Sequence, residues 1–248
     1  MKVLNCYSLK GGVGKTSTSI NLATVAARQG WRVLLLDLDP QGASSFLLRH
    51  DSQEGQGLGD LLKRQRPDLF EMVRGTNIER LEVLPYNDRT RLLDSEISEI
   101  RSFRSNAKKS IQALSTRYDL IIIDSPPTAD NVLKFQLAVA DLTLLLSTPS
   151  PLAVRATLEY VYNLREKFKS PPMFRTTLQM VEKRSKYHQE LLLELRKMET
   201  LQLTETVIPR SSLIETMALD RTPVVVSHPR SVVSQRFESL WLELDLMS

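Results

Sequence analysis

Short, almost wholly apolar runs alternate with helix-length amphipathic segments along this chain, and that alternation restricts its fold more than any other feature. The runs are Val3–Leu9, Val33–Leu38, Leu81–Leu84, Leu120–Ile123, Leu142–Ser147, Phe174–Val181, Thr206–Ile208 and Val224–Val226. Leu34-Leu35-Leu36 and Ile121-Ile122-Ile123 are apolar at every position. A strand with one face in water alternates apolar and polar residues, whereas a strand covered by helices on both faces does not. Helical patterns fall between the runs, near Ser17–Gln29, Arg91–Ser115, Asn131–Ala140, Ala153–Phe168, Lys186–Met198, Leu213–Leu219 and Ser231–Leu246. Strand, helix, strand in that order requires right-handed crossovers, and these leave neighbouring strands parallel. The sequence therefore predicts an α/β fold, a doubly wound, mainly parallel sheet with helices on both faces, with residues 1–248 forming a single domain. Ligands of such sheets bind beyond the carboxyl ends of the strands.

Composition narrows the function classes. The only cysteine is Cys6, so neither an internal disulfide nor a four-cysteine cluster within one chain is possible. His50, His188 and His228 have no metal-ligand spacing. No apolar run approaches the roughly 20 residues that span a bilayer. The N-terminus carries neither the apolar core nor the cleavage site of a signal peptide, so a cytoplasmic protein is expected. The net charge is only +4, but Arg155 to Lys197 holds ten basic and five acidic residues. Such a stretch is either a solvated helix face or a surface for a polyanion.

The strongest local signal follows the first strand. Lys10-Gly11-Gly12-Val13-Gly14-Lys15-Thr16-Ser17 joins that strand to the first helix. Its glycines let backbone N–H groups turn inward together, and the helix N-terminus adds partial positive charge, which suits a phosphate. Lys15 is placed to neutralise β- and γ-phosphates, and Thr16 to offer its hydroxyl to Mg²⁺. The usual spacing has glycine where this chain has Leu9, and Lys10 is an additional cation beside the first loop glycine. Two carboxylate motifs end later strands. In Leu36-Asp37-Leu38-Asp39-Pro40-Gln41-Gly42 the two aspartates are two apart, so an extended segment points both the same way. In Ile123-Asp124-Ser125-Pro126-Pro127, Asp124 follows an apolar strand in the form of a Walker B motif, whose carboxylate would hold Mg²⁺ through water, and the prolines stiffen the next loop.

These motifs resemble the deviant Walker A ATPases of the ParA/MinD family, and most closely its small, Soj-like partition and positioning members. The resemblance extends over the chain and is sharpest at residues 10–17, 34–42 and 119–127. It implies ATP and Mg²⁺ as cofactors, bound by Lys10, Gly11, Gly12, Val13, Gly14, Lys15, Thr16 and Ser17, with Pro209 of an I-P-R segment beside the adenine. Thr16, Asp37 and Asp124 would surround the metal, and Lys10, Lys15 and Asp39 would be catalytic. By the same resemblance Lys10 reaches the partner's nucleotide in an ATP-dependent homodimer, and Asp39 activates the attacking water.

Relatives carry a D-x-R with a role in DNA contact where this chain has Glu182-Lys183-Arg184. Lys183, Arg184, Lys186 and Arg210 are accordingly the candidate contacts to non-specific DNA. Many relatives also have an arginine three residues after the I-P-R, where Leu213 stands, although Arg155, Arg175 and Arg210 could substitute. The expected cycle is ATP-driven dimerisation on nucleoid DNA, then release when a cargo-bound, ParB-type adaptor stimulates hydrolysis. No DNA-reading domain is expected before the first strand. A MinD-like membrane-cycling ATPase is the nearest alternative. The tail after Arg236 opposes it, because Glu238, Glu243 and Asp245 would be repelled by anionic lipid, and that segment reads as a helix packed on the sheet. A metabolic P-loop enzyme acting on a small substrate is a further alternative, but it leaves Lys10 unexplained.

Overall fold

The structure, a computed structural model, describes residues 1–50, 69–87, 103–126, 130–167 and 172–246. The strands are β1 (Lys2–Tyr7), β2 (Val33–Asp37), β3 (Arg74–Gly75), β4 (Leu81–Leu84), β5 (Leu120–Asp124), β6 (Leu142–Ser147) and β7 (Phe174–Leu178). The helices are α1 (Lys15–Arg28), α2 (Ala43–Leu47), α3 (Leu69–Met72), α4 (Phe103–Gln112), α5 (Asp130–Val139), α6 (Pro151–Lys167), α7 (Lys186–Arg196), α8 (Ser212–Glu215), α9 (Met217–Asp220), α10 (Val224–Ser227) and α11 (Val232–Glu243). The strands form one seven-stranded sheet in the order β3-β4-β2-β5-β1-β6-β7. All neighbours are parallel except the short β3, which runs antiparallel to β4.

The continuous apolar runs have the expected cause, burial on both faces. Leu4 and Cys6 of β1, Val33 and Leu35 of β2, and Leu120 and Ile122 of β5 enter one core, shared with α1, α10 and α11. The alternate residues Val3, Leu34, Leu36, Ile121 and Ile123 enter the opposite core, under α4 and α5. The C-terminal segment packs on α1 through Phe237, Leu240 and Trp241, with Trp241 Nε1 donating to Gln29 Oε1 at 2.8 Å. Full burial of side chains of this size stabilises by about 1.5–3 kcal/mol each. Among the described residues no helix is long and apolar enough to cross a membrane.

Two expected strands are not strands. Thr206–Ile208 runs beside β7 without forming a ladder: the Ile208 N–H donates to the Leu178 carbonyl at 2.9 Å, and the isolated bridges of this stretch, Thr176 with Leu203 and Val181 with Pro209, fall on either side of it. Pro209 has no N–H to give a ladder, and the Thr206 N–H donates instead to the Glu243 carboxylate at 2.9 Å. Val224–Val226 lies in α10, where burial against α1 overrides the β-preference of three valines. Val225 N donates to Asn21 Oδ1 of α1 at 3.1 Å, which ties this turn down. The predicted helix over Leu213–Leu219 is broken at Thr216 into α8 and α9. Of the predicted helix over Arg91–Ser115, residues 91–102 lie outside the described residues, as does Pro127 of the proline loop.

Topology places the functional residues. Because β2, β5 and β1 are neighbours, their carboxyl ends lie side by side. The loop of residues 8–14 leaves β1, Asp37 ends β2 and Asp124 ends β5, with Asp37 opposite Asp124 and Asp124 opposite Cys6 in register.

Candidate functional site

The glycine loop has the conformation its composition predicts. Gly12 and Gly14 adopt φ of +73° and +95°, a left-handed backbone that side chains oppose. A Cβ added at Gly11 or Gly12 would meet nothing within 4 Å, so the loop faces open space. Lys10 is exposed at the loop, whereas Lys15, the first residue of α1, is only 6% exposed. Lys15 Nζ donates to Ser8 Oγ at 3.2 Å, and Ser8 Oγ donates to the Lys10 carbonyl at 2.7 Å. Burial lowers the Lys15 pKa, while the Asp124 and Asp39 charges oppose that shift.

The two strand-end carboxylates are buried, Asp37 2% and Asp124 0% exposed. Asp37 accepts from the Ser45 N–H at 2.8 Å, from Ser45 Oγ at 2.6 Å and from the Asp39 N–H at 3.2 Å. Burial first, and the Asp124 charge second, nevertheless push Asp37 up to about 7. Asp124 accepts from Ser44 Oγ at 2.6 Å and Ser19 Oγ at 3.2 Å, and its pKa too is raised by burial against hydrogen bonds from Ser44 and Thr16. Asp39 stands further out, with its carboxylate accepting from the Gln41 N–H at 2.9 Å. Lys15, Thr16, Asp37, Asp39 and Asp124 thus converge at the carboxyl edge, as the sequence places them.

The donor set fits a hydrated cation that arrives with phosphates. Among the described residues no group of three or more His, Cys, Asp or Glu side chains could cage a metal ion. A buried carboxylate beside a threonine hydroxyl at an open glycine loop instead suits Mg²⁺, which keeps several waters and takes few protein ligands. Two buried carboxylates whose pKa values are both raised, Asp37 in part by the Asp124 charge and Asp124 in part by that of Asp39, are also a place where added positive charge is favourable.

Beside the loop lies a cleft lined by Val13, Gly14, Ser17, Gln179, Met180 and Pro209. Pro209 and Ser17 line the same cleft. Gln179 was not legible in the sequence. It follows β7, is 3% exposed, and has an Nε2 without a hydrogen-bond partner, while its Oε1 lies 3.7 Å from where a Gly14 Cβ would be. The one available signal is a glutamine just past the carboxyl end of a predicted strand.

The candidate DNA contacts are exposed together near the start of α7. Lys183 and Arg184 lie in the turn before it, and Lys186, its first residue, is 3.8 Å from Glu190. Arg210 is held between Glu182 and Glu215 at 3.4 and 3.7 Å, so its charge is partly answered within the chain.

Comparison with known proteins agrees with the fold. The model of the AAA domain family matches residues 1–180, and the chain belongs to that family, as an ATPase of ParA/MinD type. The sporulation initiation inhibitor protein Soj of Bacillus subtilis is 28% identical over 235 residues, covering 93% of this chain and 92% of that protein. Two solved structures share the fold. The ATP complex of a McdA variant from Cyanothece has a TM-score of 0.84 at 21% identity, covering 98% of this chain and 96% of that one. Cobyrinic acid a,c-diamide synthase of Mycobacterium smegmatis, with a bound ATP analogue and magnesium, has a TM-score of 0.83 at 22% identity, covering 98% and 94%.

Proposed function

We propose that the chain is one ATPase domain that dimerises on binding ATP and Mg²⁺, holds non-specific DNA, and positions a cargo through hydrolysis stimulated by a ParB-type adaptor. The observation that carries this reading is the convergence of the glycine loop, the buried Lys15 and two buried carboxylates on one edge of the sheet. The relatives add support, because curated proteins aligning over nearly the whole chain include Soj.

Catalysis in this class is positioning and charge stabilisation. Mg²⁺, when bound, supplies charge neutralisation between the phosphates. Lys15 moves its ammonium from Ser8 to the phosphates, and the N–H groups of Gly12 to Lys15 orient them. Thr16 and Asp124 hold the hydrated cation, with Asp37 behind them. Asp39, nearer the surface, orients the attacking water and takes its proton. Lys10, free of the buried cluster, neutralises phosphate charge across the dimer, where exclusion of water strengthens the interaction. Gln179 donates its unpartnered Nε2 to the base, with Pro209 against the ring. Gln179→Ala should weaken ATP binding about 2- to 12-fold, the loss of one neutral hydrogen bond, while the turnover number falls less. Equal affinity of the variant and the parent, by calorimetric titration, would remove Gln179 from the site.

The test of the whole reading is binding to random-sequence duplex DNA with ATP or ADP, across a salt series, beside Lys10→Ala. The expected result is binding with ATP only, weakened steeply by salt and lost in the variant, which should still bind one nucleotide per chain. An ATP-dependent dimer that ignores DNA at low salt would sink the DNA arm. Sedimentation with anionic vesicles would then decide whether a membrane replaces DNA.

A further inference from the structure

We infer that Ser44 is a positioning residue that ties the Asp124 carboxylate to α2, so that α2 registers whether the cation site is filled. The inference deepens the proposed function and rests on it. Helix α2 has only five residues, begins at Gly42 with φ +59°, and has no side-chain cap at its N-terminus. A helix of that length does not hold itself in water, so its place is set by tertiary contacts. Consecutive residues supply them. Ser44 Oγ donates to Asp124 Oδ2 at 2.6 Å, while Ser45 donates its N–H and Oγ to Asp37 Oδ2 at 2.8 and 2.6 Å. Both serines are 0% exposed, so water does not compete.

Of the hydroxyls on Asp124, that of Ser44 is the best committed. Ser19 Oγ lies 3.2 Å from Asp124 Oδ1 and shares its hydrogen with the Lys15 carbonyl at 3.0 Å. A carboxylate offers about four lone-pair sites. Ser44 and Ser19 use two of those on Asp124, leaving a site for water on a hydrated cation. Ser44 fixes the carboxylate rotation that aims that remaining site, and any turn of the carboxylate toward the cation draws α2 with it. The outer part of α2 is joined to a second segment. Arg221 Nε donates to the Phe46 carbonyl at 2.6 Å, and its guanidinium lies 4.1 Å over the Phe46 ring. Phe46 is 43% exposed, so a shift of α2 reaches the surface there.

The experiment titrates Mg²⁺ into the complex with a fluorescent ADP analogue and follows amide hydrogen exchange of residues 43–48 in the same samples. In the wild type, Mg²⁺ should tighten ADP and slow exchange across 43–48 relative to ADP with a chelator. Ser44→Ala should raise the Mg²⁺ concentration for half-maximal tightening about tenfold and abolish the slowing, with metal-free ADP affinity unchanged, and Ser44→Thr should restore both. A Ser44→Ala protein with the wild-type Mg²⁺ half-point overturns the inference. So does a wild type that binds Mg²⁺ and ADP with no change in exchange at 43–48, a result independent of whether any variant folds. A wild type that binds no ADP at all overturns the proposed function itself, and the Ser44 assignment with it.

Discussion

Replacing Lys15 by alanine should lower ATP turnover by at least about a hundredfold, the loss expected when one pre-placed charge is removed from a water-poor reacting centre. The side chain is already desolvated, its ammonium rests on a serine hydroxyl, and the Asp124 and Asp39 charges oppose the lowering of its pKa by burial. Little reorganisation therefore separates it from a phosphate. Its loss also leaves Asp37 and Asp124 facing a tri- or tetra-anionic ligand without a buried cation, so ATP affinity should fall together with turnover. Lys15→Arg should not rescue, because a planar guanidinium does not fit the place of a compact ammonium beside Ser8. Steady-state hydrolysis and equilibrium binding, measured with a circular dichroism check that the variant is folded, give the answer. Turnover within tenfold of the parent would mean that phosphates do not bind at this loop.

The second large effect is on stability. Asp37 has an ordinary pKa of 3.8 and is pushed up to about 7 in the folded protein. Between those values the folded state binds a proton that the unfolded state has released, so stability falls as pH rises from about 4 to 7 and stays low above that. Asp124 is shifted in the same direction. The ligand-free protein should therefore melt at a lower temperature at pH 8 than at pH 5. Asp37→Asn keeps an oxygen that accepts from Ser45 and removes the charge. It should stabilise the ligand-free protein at pH 8 by on the order of 1–4 kcal/mol, and the two proteins should converge toward pH 4. Scanning calorimetry across this range is decisive: a variant less stable than its parent at pH 8 would mean that the carboxylate is not a burden in the empty site. Mg²⁺ with nucleotide should flatten the parent's profile, since the added cation favours both ionised carboxylates.

The parts of this molecule legible in sequence are those whose causes are local. Leu34-Leu35-Leu36 and Ile121-Ile122-Ile123 announce strands buried on both faces because each residue reports its own surroundings. The glycine loop is legible because its function is contained in eight adjacent residues, and Asp37 and Asp124 because a carboxylate ending an apolar strand is conspicuous. What was hidden depends on distance along the chain. Ser44 meets Asp124 across 80 residues and Ser19 meets it across 105, and a serine in a helix carries no mark of such a partner. Gln179 comes beside the glycine loop only because β7 ends near Gly14. Arg74–Gly75 is too short and too polar to signal a strand. The valines at 224–226 mislead in the opposite way, since their β-preference is a statement about surroundings that α1 happens to supply to a helix.

The two borders of the sheet bear on how this protein can associate. On one side β7 is screened by the chain from Gln202 to Pro209, which exchanges backbone hydrogen bonds with Thr176 and donates to the Leu178 carbonyl. On the other, β3 offers only two residues, running against the direction of the rest. Exposed strand borders are what let sheets from separate molecules fuse into one, and among the described residues neither presents a long free row of donors and acceptors. Stacking of copies border to border is thereby discouraged, which guards against aggregation. Were a second copy to meet this one, the described residues would offer it helices and loops, contacts that can be made and broken without disturbing the core.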